Sequence, residues 1–177
     1  MSFLNKAIFL DRDGVINEPV ILNGKPYPPA TVNELKLFDG VAESLLALRE
    51  AGYLLIVVTN QPDVARGKTP MRVVNEINNY LMSNLPLDAI HVCFHDDSDQ
   101  CNCRKPLPGL LLNAAKEFNI ELSESYMVGD RWKDIAAGQA AGCKTVWIDA
   151  CYDEKKPVNP DITVSSLWEA SKIILNT

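Results

Sequence analysis

Two aspartates one residue apart, Asp11 and Asp13, end the apolar run Ala7-Ile8-Phe9-Leu10 and precede Gly14 in the stretch KAIFLDRDGVIN. A short apolar run bounded by a glycine-containing turn reads as a buried parallel strand. Ligands of open α/β sheets lie just beyond the carboxyl ends of such strands. Two carboxylates placed there repel by roughly 4 kcal/mol at about 4 Å and an effective dielectric near 20. A hard divalent cation with oxygen ligands removes that cost, and Mg2+ takes one or two carboxylates, waters and a substrate phosphate. Aspartates are also common in turns after strands, so the pair alone leaves both readings open.

The rest of the chain supplies elements that can bring more such groups to the same edge. Residues 18 to 33 hold Pro19, Gly24, Pro26, Pro28 and Pro29, which predicts a long ordered loop rimming the carboxylate pair. A helix is expected from Gly40 to Gly52, with Val41, Leu45 and Leu48 on one face. Tyr53 to Val58 reads as a buried strand ending in Thr59-Asn60-Gln61-Pro62. A second helix starts with Thr69 as N-cap and Pro70 in the first helical position, burying Val74, Ile77 and Leu81. A strand at Ile90 to Val92 leads into a cysteine-rich segment, followed by a helix from Leu107 to Phe118. Tyr126 to Val128 is the next strand, then a small-residue helix from Trp132 to Ala141 closed by Gly142. Strands at Thr145 to Ile148 and Ile162 to Val164 follow. The last helix begins with Ser166 and Glu169 in capping-box spacing and buries Leu167, Ala170 and Ile174. Strands alternating with helices predict an α/β fold, a Rossmann-like parallel sheet with helices on both faces.

Parallel strands put their carboxyl ends on one edge. That edge would carry Asp11 and Asp13, then Thr59 and Asn60, then Arg104 and Lys105, then Asp130, Arg131 and Asp134. The set offers carboxylates for a metal, a hydroxyl and amides for an anion, and a lysine as a point charge. Phosphate monoester cleavage demands such a set, because enzymes must supply accelerations reaching about 10^21-fold. A positioned acid or base gives only about 10^2 to 10^4, so most of the rest must come from charge around the phosphoryl oxygens. A carboxylate nucleophile such as Asp11 would split the reaction through an aspartyl-phosphate. Asp13 could then protonate the leaving oxygen and afterwards activate water.

Three of the five cysteines lie within eleven residues, and Cys93, His95, Cys101 and Cys103 form the pattern C-x-H-x5-C-x-C. Three thiolates and an imidazole complete a tetrahedral zinc set with no position open for catalysis. A structural site there would fix Arg104 and Lys105 relative to a phosphate. The other reading is incidental buried or redox cysteines. Cys143 and Cys151 lack such partners, and His91 lies outside the spacing.

FLDRDGVIN, VVTNQP, CRKPLPG and VGDRWKDIAAG resemble, in order, the four motifs of the haloacid dehalogenase superfamily of aspartate-nucleophile phosphatases, over about Lys6 to Ile148. The resemblance implies that Asp11 is the nucleophile, Asp13 the general acid/base, and Thr59 and Lys105 the holders of the phosphoryl group. It implies Mg2+ on Asp11, the backbone carbonyl of Asp13, and Asp130, with Asp134 behind them. The alternative for Asp134 is an exposed or capping carboxylate in a first helical turn. The zinc loop ending in CRKP is similar to one branch, which contains heptose 1,7-bisphosphate 7-phosphatases and histidinol-phosphate phosphatase domains. RKPLPGLL, Ala65-Arg66-Gly67 and DIAAGQAAG look more like the heptose group, in which Asn60, Gln61, Pro62, Arg104 and Arg131 would contact a phosphorylated sugar for surface-polysaccharide supply. Arginine suits bidentate contact with a second phosphate. The proline-rich loop, Asp63 and Lys68 depart from the usual pattern, with Tyr27 as the candidate counterpart of the usual tyrosine of that loop.

The expectation is one domain over residues 1-177 with no separate cap, its zinc-binding loop at about 93-103. At 177 residues, 47% hydrophobic and 23% charged, the composition is that of an ordinary soluble domain. The longest apolar run, Tyr53 to Val58, cannot span a membrane, and Asp11 interrupts the only stretch resembling a secretory signal. A cytoplasmic monomer is expected. A net charge of −6 without a basic run argues against nucleic acid. A receiver domain also places aspartates, a hydroxyl and a lysine at sheet ends, but its phospho-accepting aspartate follows a middle strand of the sequence and it has no use for zinc ligands. A third possibility keeps the scaffold and makes zinc catalytic.

Overall fold

The first strand, β1 (Lys6–Leu10), is buried on both faces along Ala7 to Leu10, as a strand between two helical layers must be. It appears in a computed structural model that describes residues 4–177. In chain order there follow a two-stranded hairpin, β2 (Val20–Leu22) and β3 (Lys25–Tyr27), then α1 (Val41–Glu50), β4 (Tyr53–Asn60) and α2 (Met71–Asn84). The second half holds β5 (Ala89–Cys93), α3 (Gly109–Glu117), β6 (Tyr126–Gly129), α4 (Trp132–Ala141), β7 (Lys144–Ile148), β8 (Ile162–Val164) and α5 (Leu167–Leu175). The main sheet has six strands in the order β5-β4-β1-β6-β7-β8, and all its pairings are parallel.

The chain winds outward from β1 through β4 and β5, then returns to the other side of β1 for β6, β7 and β8. The reversal falls between β1 and β6, which makes their carboxyl ends the natural crevice of the sheet. Alternate residues of each strand serve opposite layers. Ile8, Leu10, Leu55, Val57 and Val128 pack with Leu45 of α1, Ile77 of α2 and Ile174 of α5. Ala7, Phe9, Ile56, Val58 and Met127 pack with Leu111 and Ala114 of α3 and Ala137 of α4. The hairpin is the one β structure outside these layers among the described residues, and no described helix is long and apolar enough to cross a membrane.

Several boundaries differ from expectation. Residues 18 to 33 contain the hairpin, turned by Asn23 and Gly24 at φ 52° and 73°, the left-handed pair that a type I′ turn requires. Helix α2 is entered one residue late: Pro70 is extended (ψ 137°) and stands as N-cap. Thr69 instead spends its backbone N–H on Asp63 O at 3.1 Å. Helix α3 starts at Gly109, because Leu107 closes a turn onto Arg104 O at 3.0 Å. β4 runs on to Asn60, carried by in-register pairing of Asn60 with Cys93. At α5, Ser166 Oγ accepts from Glu169 N at 3.2 Å, while Glu169 reaches back to Ser165 N and not to Ser166.

Helix α4 lies unusually close to the sheet at Gly138, where a Cβ would come within 2.6 Å of Met127 Cβ and 3.0 Å of Thr145 Cγ2. Alanine is the better helix former by about 1 kcal/mol, but overpacking costs about 1–3 kcal/mol, and both neighbours are fixed in strands. Gly138→Ala should therefore lower the melting temperature by several degrees in a thermal melt; a rise would show that helix propensity outweighs packing here.

Candidate active site

Lys105 is the centre of the sheet's carboxyl edge. Its ammonium is 2% exposed and donates to Asp11 Oδ1 at 2.8 Å, Asp134 Oδ1 at 2.6 Å and Val58 O at 2.8 Å. Those three bonds use all three donors of a lysine. The two carboxylates push its pKa up, outweighing the opposite effect of burial. Its backbone is clamped by Asn60, whose Oδ1 accepts from Lys105 N at 3.1 Å and whose Nδ2 donates to Lys105 O at 3.0 Å.

Asp11 follows β1, its N–H donating to Val128 O at 3.0 Å, which carries the β1–β6 ladder up to the crevice. Burial and the charge of Asp134 raise Asp11 to about 6, against the opposing pull of Lys105. Asp130 follows β6 in the same way. Burial pushes Asp130 well above the usual carboxylate range, and Asp11 and Asp134 add to it. Among the described residues neither of its carboxylate oxygens meets a donor in good hydrogen-bond geometry, the Tyr152 hydroxyl being the polar group beside them, and its backbone carbonyl accepts from the Trp147 indole at 3.1 Å. Gly14, at φ 93°, is the one residue type that lets this carboxylate in, since a Cβ there would overlap Asp130 Oδ2.

Ligand oxygens of Asp11, Asp130 and Asp134 lie within 4.8 Å of one another. Three buried carboxylates beside one ammonium leave two negative charges uncancelled. A divalent cation fits that deficit and would satisfy the partnerless oxygens of Asp130. Asp134 is neither exposed nor idle: it is 2% exposed, holds Lys105, and accepts from Arg131 N at 3.0 Å to cap α4.

Asp13 is gripped from three sides. Arg12, fully buried, donates to both its oxygens at 3.0 and 3.3 Å and, through Nη1, to Asn78 Oδ1 on α2 at 2.9 Å. Asn17 donates to Asp13 Oδ1 at 2.9 Å. Gln61 Nε2 donates to Asp13 Oδ2 at 2.9 Å and to Thr59 Oγ1 at 3.0 Å. Asn60 and Gln61 thus direct their amides inward, onto Lys105 and Asp13, although both also border the cavity.

That cavity, of about 300 Å³, is lined by Asp11, Asp13, Thr59 and Lys105, by Pro62, Arg104 and Arg131, and by Lys25 to Pro28 in and beside the hairpin. Its size suits a small molecule. Arg104 donates to Asp97 at 2.7 Å. Arg131 makes a two-point pair with Glu154 at 2.8 and 2.6 Å. Arg66 ties the loop after β4 to Asp96 at 2.9 and 2.6 Å and holds that carboxyl down at about 2. Lys133, half-buried in the first turn of α4, borders the same cavity. Burial and the neighbouring Arg104 lower its pKa.

Cys93, His95, Cys101 and Cys103 converge, with their ligand atoms within 4.8 Å of one another. Cys103 and Cys93 sulfurs are 3.1 Å apart, Cys93 and Cys101 3.8 Å, and His95 Nδ1 is 3.3 Å from Cys103. Zn–S bonds of about 2.3 Å give a tetrahedron with edges near 3.8 Å, so the cluster is of zinc-site size. Cys143 is buried, Cys151 is exposed, and His91 pairs with Glu117 at 3.4 Å.

Arg12, Asn17, Asn78, Tyr152 and Glu154 were not expected at the site. Tyr152 borders Asp130: burial and that carboxylate's charge raise its hydroxyl pKa. No local pattern announces these residues; Asn78 meets Arg12 across 66 positions. The DRDG arginine, fully enclosed beside an aspartate, is the one that its position between two acids could have flagged.

The haloacid dehalogenase-like hydrolase family matches residues 17–142 of the chain. The D-glycero-beta-D-manno-heptose-1,7-bisphosphate 7-phosphatase of Pasteurella multocida is 38% identical over 169 residues, covering 89% of this chain and 87% of that protein. The enzyme of that name from Yersinia pestis is 37% identical over 174 residues, covering 92% of this chain and 88% of that one. Among solved structures, a D,D-heptose 1,7-bisphosphate phosphatase from B. bronchiseptica, complexed with magnesium and phosphate, superposes with a TM-score of 0.78. It is 26% identical and covers 97% of this chain and 98% of its own. The chain belongs to the haloacid dehalogenase-like hydrolases, in their phosphatase branch.

Proposed function

We propose that this chain is a Mg2+-dependent phosphatase that removes the 7-phosphate of D-glycero-D-manno-heptose 1,7-bisphosphate through an aspartyl-phosphate. The observation that carries the chemistry is the partnerless, buried carboxylate of Asp130 beside Asp11 and Lys105 at the crevice of the sheet. The sugar rests on the relatives' names and on the cavity's arginines.

In this reading Asp11 attacks phosphorus, and Asp13 delivers a proton to the departing sugar oxygen. The phosphoryl group is then carried on Asp11. Asp13, now a carboxylate, takes a proton from the attacking water, and phosphate leaves with Asp11 restored. Thr59 holds a phosphoryl oxygen, and Lys105 supplies positive charge beside the group while keeping the Asp11 carboxylate in line. Mg2+ bound by Asp11, Asp130 and the backbone carbonyl of Asp13 supplies charge neutralisation for the nucleophile and the transferring group. Gln61, Asn17 and Arg12 fix the acid/base; Asn60 fixes the lysine; Asp134 stands behind the metal. Arg104, Arg131, Pro62 and the outer edges of Asn60 and Gln61 contact substrate. Zinc in the Cys93, His95, Cys101 and Cys103 cluster is structural, and the enzyme works as a cytoplasmic monomer.

Purified protein with Mg2+ should release phosphate from the heptose bisphosphate at steady state, and Asp11→Asn should lower kcat by at least about 10^3-fold. A preference above tenfold for histidinol phosphate would overturn the sugar assignment. A stable phosphoprotein without turnover would instead indicate a receiver.

The raised pKa of Asp11 makes metal binding pH-dependent. A carboxyl at about 6 in the fold and 3.8 unfolded binds more protons when native, so stability falls as pH rises from about 4 to 6. The loss is on the order of 3 kcal/mol for the metal-free protein, and the cation relieves it. Addition of Mg2+ should therefore raise the melting temperature more at pH 7.5 than at pH 5; an equal rise at both would place the cation elsewhere.

Cys101→Ser should lose zinc, melt about 10 °C lower and show a raised KM with kcat within a few-fold. Loss of kcat in a folded, Mg2+-loaded variant would make zinc catalytic.

A further inference from the structure

The bisphosphate reading asks the cavity to meet two phosphates, and only one is served by Lys105 and the metal carboxylates. Arg104 and Arg131 line the cavity, yet each is already held by a carboxylate, Asp97 at 2.7 Å and Glu154 at 2.6 Å. Arg66 is doubly engaged by Asp96 and Asp63. A phosphate approaching any of these must compete with an acid that is in place and repels it. Lys133 differs. It borders the same cavity, and among the described residues no carboxylate lies within salt-bridge distance of it. The charged groups near enough to act on it are Arg104, Asp97, Arg131 and Glu154, and its ammonium lies 5.7 Å from the centre of the Trp132 ring. Arg104 is matched by Asp97 and Asp96 and Arg131 by Glu154, so the cation of that patch without a carboxylate partner among the described residues is Lys133. Lys25, the other cavity cation without a carboxylate partner, is exposed on the hairpin, whereas Lys133 is carried by the first turn of a helix packed on the sheet.

We infer that Lys133 is a specificity-determining residue that anchors the second phosphate of the substrate, with Arg104 and Arg131 flanking it. This rests on the bisphosphate reading above. An ammonium on a flexible stem can follow a phosphate as a point charge, and the arginines then add directional donors once the ligand shares them with Asp97 and Glu154. The anchored end positions the other ester over Asp11, so the second phosphate works through binding and leaves the chemical step alone.

The test measures kcat and KM for heptose 1,7-bisphosphate and for heptose 7-phosphate, which lacks the second phosphate. In Lys133→Met and Lys133→Gln, kcat/KM for the bisphosphate should fall about ten- to a hundredfold, mostly through KM. Turnover of heptose 7-phosphate should stay within about twofold, and Lys133→Arg should restore most of the preference. A structural defect would depress both substrates alike, which also overturns the assignment. An unchanged ratio between the substrates in a wild-type-like variant overturns it too, while leaving the phosphatase reading intact. A wild-type enzyme that fails to prefer the bisphosphate overturns that reading and this one with it.

Discussion

One ammonium holds three segments of the chain together. Lys105 bonds the carboxylate after β1, the last apolar carbonyl of β4 and the carboxylate in the first turn of α4. Removing one partner of a buried ion pair leaves an uncompensated charge and costs about 3–5 kcal/mol, so none of the three can drift without the others. The same bonds leave Asp130 without a donor. The lysine thus stabilises two of the acids and leaves the third for a cation, a division of charge that a sheet edge crowded with aspartates needs to exist at all.

Everything around the lysine serves to keep it in register. Asn60 pins its backbone, and Asn60 is itself fixed by strand pairing with Cys93. Cys93 begins the metal-sized cluster whose last member, Cys103, stands two residues before Lys105. The segment between is locked to the loop after β4 by Arg66 and Asp96. Strand, cluster and loop therefore form a closed circuit around the lysine that bonds Asp11, which is the preorganisation that charge stabilisation in a buried site requires. Asp13 is organised independently, by Arg12, Asn17 and Gln61, so Asp11 and Asp13 have separate supports.

Much of this was readable from the residues alone. Asp11 and Asp130 could be placed because each follows an apolar run, and Lys105 because it stands in the CRKP motif after the cysteine segment; the order of strands and helices follows from the apolar runs. The four members of the Cys/His cluster were legible by spacing. What escaped was of two kinds. The hairpin was hidden by proline density, although Asn23-Gly24 is a strong hairpin signal and edge strands tolerate proline. Local bonding also shifted helix starts, since a spare N–H of Thr69 or Leu107 found a loop carbonyl before a helix could use it. The partners of charged groups, such as Asn78 for Arg12 or Glu154 for Arg131, come from packing between distant segments and leave no trace in local pattern. Asn60 and Gln61 do line the cavity, but the direction of their amides depends on neighbours that only the fold assembles.

The hairpin has a consequence for how such an enzyme can change over evolutionary time. Val20, Ile21 and Leu22 are exposed, and β2 and β3 pair only with each other. Residues Lys25 to Pro28 nevertheless form one wall of the cavity. Selection can therefore lengthen, shorten or replace this wall without disturbing either hydrophobic layer or the charge circuit beneath it. Novel substrates become accessible through a segment whose alteration carries almost no folding penalty, while the catalytic floor stays frozen.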